Sequence, residues 1–247
     1  MALGASALTS CNEVSEPDRT VPADIQARRT VLIEEFTGQR CTNCPDGHQA
    51  IHNLKASPLL GDSIIAVGIH ASGLAMNPPV GFKTDTGEEY YRYFGSPALP
   101  TAILNMATSP LVVELWTTNI NRLIVVPTDY TVRAEATYAD DGTITVNVAT
   151  SAGEDFEGHL QVWITEDDIV AYQLDHGTNV NDYEHNHVFR AAVNGTWGEE
   201  VSLKAHTPQT FNYTYQAQST WKPANLNIVA FLYNDAGVAQ ATETAVK

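Results

Sequence analysis

The apolar run Val31-Leu32-Ile33-Glu34-Glu35-Phe36 is followed five residues on by Cys41-Thr42-Asn43-Cys44-Pro45. That order predicts a short strand, a turn, and a Cys-x-x-Cys pair opening a helix. Pro45 suits the first helical turn, where its missing N–H has no intrahelical partner to lose. A thiol at a helix N-terminus meets the positive end of the helix dipole and unpaired backbone N–H groups, which favour the thiolate. Two cysteines at this spacing can close a small ring and reopen it by thiol–disulfide exchange. Strand, then pair, then helix lifts the motif above a chance coincidence of cysteines.

The chain around the pair reads as alternating strands and helices. A helix is expected from Pro45 to Ala56, stopping before Pro58, and a doubly covered strand over Ser63–His70. Gly87–Phe94 gives a short aromatic helix, Ala102–Asn105 a strand, and Leu111–Ile124 a helix with its apolar residues on one stripe. This pattern predicts an α/β layered domain over residues 30–126.

Beyond Pro127 the style changes. Tyr130–Tyr138 and Thr143–Val148 alternate polar and apolar residues around Asp140-Asp141-Gly142, a hairpin signal. Further strands are expected over His159–Thr165, Val188–Val193, Thr210–Ala217 and Leu226–Tyr233, with a shorter one near the end. Short strands at this density predict an all-β sandwich of immunoglobulin or fibronectin type over residues 127–247, with no cysteine between its sheets. Gln173–Arg190 is the most polar stretch and reads as a long loop whose Asn, Asp and Gly residues tie down its own backbone. His176, His185 and His187 within it are weak candidates for a metal ion. His48 and His52, four apart on the first helix, read as exposed polar-face residues. No second cysteine pair is present to complete a zinc site.

Composition narrows the partners. Thirteen Lys and Arg against 29 Asp and Glu give a formal charge of −16, which repels nucleic-acid backbones. Cys11 is left over from the pair. Leu8-Thr9-Ser10-Cys11 resembles a bacterial lipobox, with residues 1–11 as signal remnant and Cys11 as the lipidated residue, although no Lys or Arg precedes it. Residues 12–29, polar and with two prolines, read as a tether.

Cys41-Thr42-Asn43-Cys44-Pro45 after an apolar strand, with Leu99-Pro100-Thr101 ahead of a later strand, resembles the thioredoxin fold. The resemblance implies a cis bond before Pro100, packed against the disulfide. It also implies a proton-moving role for Glu35, attack by Cys41 and resolution by Cys44. Arg40, Thr42, Asn43 and Leu99 would then border the substrate. Arg40 stands where thioredoxins carry Trp, and Thr42-Asn43 where they carry Gly-Pro. Together with the lipobox-like start, Val162–Asp167, Tyr183–Arg190 and Asn194–Glu199 resemble the Bacteroidetes 28-kDa outer-membrane lipoprotein family. That resemblance implies an envelope location and a lipid anchor. Two functions stay open: thiol–disulfide exchange on envelope or secreted proteins without a cofactor, or non-catalytic binding of a surface ligand with the Cys pair as a structural disulfide.

Overall fold

The computed structural model describes residues 29–247, so Cys11 and all but the last residue of the tether lie outside the described residues. Thirteen strands and three α-helices follow in the order β1 (Val31–Thr37), α1 (Cys44–Lys55), β2 (Ile64–His70), α2 (Asp85–Tyr93), β3 (Thr101–Leu104) and α3 (Val113–Leu123). The chain then continues through β4 (Tyr130–Tyr138), β5 (Thr143–Ala152), β6 (Phe156–Glu166), β7 (Ile169–Asp175), β8 (Thr178–His185) and β9 (Val188–Ala192). It ends with β10 (Glu199–Leu203), β11 (Gln209–Gln216), β12 (Leu226–Asn234) and β13 (Gly237–Ala245). The molecule is mostly β, with its strands distributed over several sheets.

In the front of the chain β1 lies between β2, to which it is parallel, and β3, to which it is antiparallel. Helices α1 and α3 cover one face: Ile51, Leu54, Trp116 and Ile120 pack on Val31, Ile33, Ile64 and Leu104. The other face carries Leu32, Phe36, Ile65 and Ile103 and is covered by Tyr90 of α2. All seven residues of β1 are buried, which accounts for its near-continuous apolar sequence.

The back of the chain forms two facing layers. The three-stranded sheet β11-β5-β4 turns Val132, Ile144, Val146 and Val148 onto Leu160, Val162, Ile164, Ile228 and Val201 of β6, β12 and β10. Strict alternation of buried and open positions along β5 is the reason that strand is legible from its sequence.

One sheet runs through both halves. Its strand order is β13-β12-β6-β9-β2-β1-β3, with β10 attached to β6, so backbone pairing crosses position 127. The joint is narrow: β2 meets β9 in parallel at the single pair Gly68 and Val188. Side chains reinforce it. Trp163, Phe189, Val229 and Phe231 from the back share a core with Leu32, Phe36 and Tyr90 from the front. The Trp163 indole N–H donates to the Tyr90 hydroxyl at 3.0 Å, and that hydroxyl donates to the Thr196 carbonyl.

The polar stretch from Gln173 to Arg190 differs from expectation. It is not a loop but the end of β7, all of β8 and the start of β9, with β7 and β8 forming a separate two-stranded hairpin. His176 and Gly177 both adopt positive φ, 46° and 84°, the geometry of a tight two-residue hairpin turn. Strand β10 is likewise additional to the strands expected from sequence.

Because the two halves share a sheet and a core, thermal unfolding is predicted to be a single transition by both far-UV and near-UV circular dichroism. Trp163→Ala should lower stability by about 3–5 kcal/mol, as for other large aromatic truncations in cores. A variant losing only the back-half signal at a lower temperature would contradict the shared core.

Candidate functional site

Strand β1 delivers the chain into a tight turn at Gly38–Arg40. The Arg40 amide donates to the Leu74 carbonyl at 2.8 Å, and the Cys41 amide to the Gly38 carbonyl at 3.0 Å. A Cβ on Gly38 would stand 2.8 Å from the Leu74 carbonyl carbon, so the turn needs a residue without one. Helix α1 then opens at Cys44, with Pro45 in its first turn. Cys41 and Cys44 are joined in a disulfide with Cα atoms 5.3 Å apart.

Glu35 lies beneath α1. A Cβ on Gly47 would meet Glu35 Oε1 at 2.5 Å, Trp116 at 3.1 Å and Pro100 at 3.2 Å, so the helix backbone rests directly on all three. The Leu99–Pro100 bond is cis. The structure therefore brings Glu35 and Pro100 to the same helix that carries the cysteines. Arg40, Thr42 and Asn43 are exposed, and Leu99 is half-buried.

The sulfur-bearing residues are not open to an incoming thiolate. Cys41 is 4% exposed and Cys44 fully buried, against the expectation that Cys41 presents itself for attack. The reason is the β7–β8 hairpin, which lies on the Cys-x-x-Cys turn. The Leu174 amide donates to the Gln39 carbonyl at 2.8 Å, and the His176 amide to the Thr42 carbonyl at 3.0 Å. The Gly177 amide donates to Thr42 Oγ1 at 2.9 Å. The buried Gln173 carboxamide donates to the Cys41 carbonyl at 3.0 Å. The hairpin is thus tied by backbone hydrogen bonds to the turn on both sides of Cys41.

Behind the hairpin, between α1 and the β8–β9 junction, is a cavity of about 560 Å³. Its polar lining includes Glu35, His48, His70, Tyr183 and His185. His48 is part-buried rather than exposed on the polar face of α1: one ring nitrogen lies 2.9 Å from Thr37 Oγ1 and the other 2.8 Å from the Tyr183 hydroxyl. The His185 ring stands 5.6 Å from that of His70 and 6.1 Å from that of His48, centre to centre, and Phe82 packs edge-on against both His70 and His185. Neither ring nitrogen of His70 has a hydrogen-bond partner, nor do His185 Nδ1 and Glu35 Oε1.

Burial decides the protonation states. Desolvation, with the neighbouring His185, holds the His48 imidazole down to about 3, and desolvation lowers His185 to about 4. His70 is pushed well below the ordinary histidine range by the same burial, helped by His185 and His48. Burial raises Glu35 well above the ordinary carboxylate range and Tyr183 to about 12. Burial therefore keeps His48, His70 and His185 neutral at neutral pH and favours the protonated form of Glu35.

The three histidines expected as weak metal ligands are dispersed. His176 sits exposed at the hairpin turn, paired with Asp175 and Asp46, while His185 points inward and His187 stands beside Asp167. Among the described residues no three His, Cys, Asp or Glu side chains are grouped to hold a metal ion. His70 escaped the sequence reading. Its signal was present, a histidine closing the apolar run Ser63-Ile64-Ile65-Ala66-Val67-Gly68-Ile69, where a buried strand must seat it.

The fold and the covered disulfide define a class: a β-rich, disulfide-bearing protein with a thiol pair sealed by its own hairpin. The family model for the outer membrane protein Omp28 matches residues 87–247, and the chain belongs to that family. The family is one of outer-membrane proteins, which places this chain in the outer membrane. Among solved structures, HBP35 of Porphyromonas gingivalis is similar with a TM-score of 0.72 at 13% identity, over 89% of this chain and 76% of that one. A domain of the outer membrane lipoprotein Omp28 from Porphyromonas gingivalis matches at 26% identity and a TM-score of 0.37. That match covers 48% of this chain and 96% of the domain. No curated protein matches the chain in sequence.

Two predictions follow from this geometry. Gly47→Ala forces α1 off Glu35, Trp116 and Pro100, and should cost about 1–3 kcal/mol by overpacking, read as a lowered denaturation midpoint with an unchanged slope. The second concerns pH. His48, His70 and His185 have depressed values in the closed state, so their contribution to closure is complete above the ordinary value of 6.5. It is lost as pH falls towards 4 and 3. Glu35, raised in the closed state, works the other way, but sets one carboxyl against three imidazoles. Reduction of the disulfide by a phosphine, normalised to the unfolded chain at each pH, should accelerate steeply between about pH 6.5 and 4. A flat profile would contradict the account of the histidine cluster.

Proposed function

We propose that this chain is an envelope-anchored binding lipoprotein in which Cys41–Cys44 is a structural disulfide rather than an exchange centre. In this reading residues 30–126 form a thioredoxin-like domain and residues 127–247 a sandwich of immunoglobulin or fibronectin type. Cys11 carries the lipid, and the partner is an envelope or secreted protein or another surface ligand. The observation that carries the proposal is the near-complete burial of both cysteines under the β7–β8 hairpin. Exchange requires a thiolate to reach one sulfur, and a covered sulfur is not attacked at a useful rate. A disulfide closing so short a loop still contributes about 2 kcal/mol by restricting the unfolded chain. Its place at the foot of α1 then fixes the turn on which the hairpin rests.

A second reading, thiol–disulfide exchange once the hairpin has lifted, is favoured by Glu35 and Pro100 meeting the cysteine-bearing helix. In it Cys41 attacks, Cys44 resolves, and Arg40, Thr42, Asn43 and Leu99 border the substrate. Insulin reduction at neutral pH separates the two. The binding reading predicts no turnover above the uncatalysed rate, and a native disulfide that dithiothreitol reduces far more slowly than in the unfolded chain. Turnover abolished by Cys41→Ser would establish the exchange reading instead.

A further inference from the structure

The cavity between α1 and the β8–β9 junction contains a cluster of buried groups that the fold leaves unsatisfied. Glu35 is 2% exposed and its Oε1 has no hydrogen-bond partner. His70 is equally buried with both ring nitrogens unpartnered, and His185 Nδ1 is a fourth such atom. Buried polar atoms in folded proteins are nearly always paired, because an orphaned one costs about 1–3 kcal/mol. Four of them lie in the wall of one space of about 560 Å³, Glu35 Oε1 with His48 Nε2 3.8 Å away, and give that wall a polar character.

The lining also states the sign of charge. Three carboxyl side chains, Glu35, Asp175 and Glu184, reach the cavity against one ammonium, Lys55. Lys55 is already committed, its Nζ donating to Glu243 Oε2 at 3.2 Å. The imidazoles of His48, His70 and His185 carry no charge at neutral pH, so they oppose a cation less than lysines would. The rings of Tyr183 and His185, 4.9 Å apart, present aromatic faces near the same space. A ready-made metal centre does not fit, since among the described residues no three potential ligands are grouped for an ion.

We propose that this cavity is a binding site for a small organic cation, an amine or guanidine on a short carbon chain, with its charged head against Glu35 Oε2, the carboxyl oxygen on the Gly68 side. The proposal rests on the reading of the chain as a binding protein and supplies the ligand class. The cavity floor contains one further fitting feature. A Cβ on Gly68 would stand 3.6 Å from the His187 carbonyl oxygen and 3.9 Å from Glu35 Oε2, ordinary contact distances. Gly68 therefore opens space that a larger side chain would occupy without clashing. Burial favours the protonated form of the empty-state Glu35 carboxyl, and a cation beside it favours the carboxylate. Docking should thus release a proton.

The test is calorimetric titration of the intact chain with agmatine near pH 7, in two buffers of different ionisation enthalpy, with pentanol and pentanoate as neutral and anionic controls. The expected result is saturable one-to-one binding of agmatine alone, with a net proton released. Glu35→Gln should weaken it by about tenfold or more, the scale of one charge-assisted hydrogen bond. Gly68→Val should abolish it, while Gly68→Ala keeps both the fold and measurable binding. Absence of saturable agmatine binding up to about 10 mM would overturn the proposal. So would equal binding of pentanol, unchanged affinity in a folded Glu35→Gln variant, or stoichiometric Zn²⁺ binding that excludes agmatine. Insulin turnover is independent of this titration, so failure of the ligand assignment and failure of the binding reading are distinguishable.

Discussion

The hydrogen bonds from the β7–β8 hairpin to the turn at Gln39–Thr42 decide what the rest of this molecule can do. Two backbone amides, Leu174 and His176, and the Gln173 side chain meet three carbonyls of the turn that carries the disulfide. Without that contact the cysteines would stand at the mouth of a helix, where dipole and free N–H groups favour attack chemistry. With it they are buried. The hairpin also closes one wall of the histidine-lined cavity through Tyr183 and His185. Cover and cavity are therefore two consequences of one piece of backbone pairing.

This arrangement explains why the front half and back half share a sheet. The hairpin belongs to the back of the chain but acts on the front, so the two must be held in fixed relation. The backbone link between β2 and β9 is a single residue pair, and the core around Trp163, Tyr90 and Phe189 supplies the remaining rigidity. Gly68 sits at that link and also lines the cavity. A joint made wholly of extended strand pairing would have filled that space.

Much of the framework was legible in the sequence. Val31–Pro45 announced strand, turn and helix because an apolar run, a cysteine spacing and a proline each carry a local rule. Strands β4, β5 and β11 were visible because one face is more buried than the other and alternation records it, and β12 because both its faces are covered and it reads as an apolar run. The cis bond before Pro100 came from resemblance rather than from any local rule. Strand β8 was invisible for a physical reason. Thr178-Asn179-Val180-Asn181-Asp182-Tyr183-Glu184 is open to solvent along most of its length, so neither face selects apolar residues. Its strand character comes from pairing with β7 and from contacts to a turn more than 130 residues earlier. The burial of His48 was hidden likewise, since it depends on Tyr183 of that distant hairpin arriving overhead.

The central claim, that the hairpin stays seated on the disulfide turn in the native molecule, is tested most directly by hydrogen exchange at the Leu174 and His176 amides. If the hairpin is a fixed cover, both amides exchange with protection comparable to those of the buried strand β1. Exchange at the rate of an open surface loop, with β1 still protected, would contradict it.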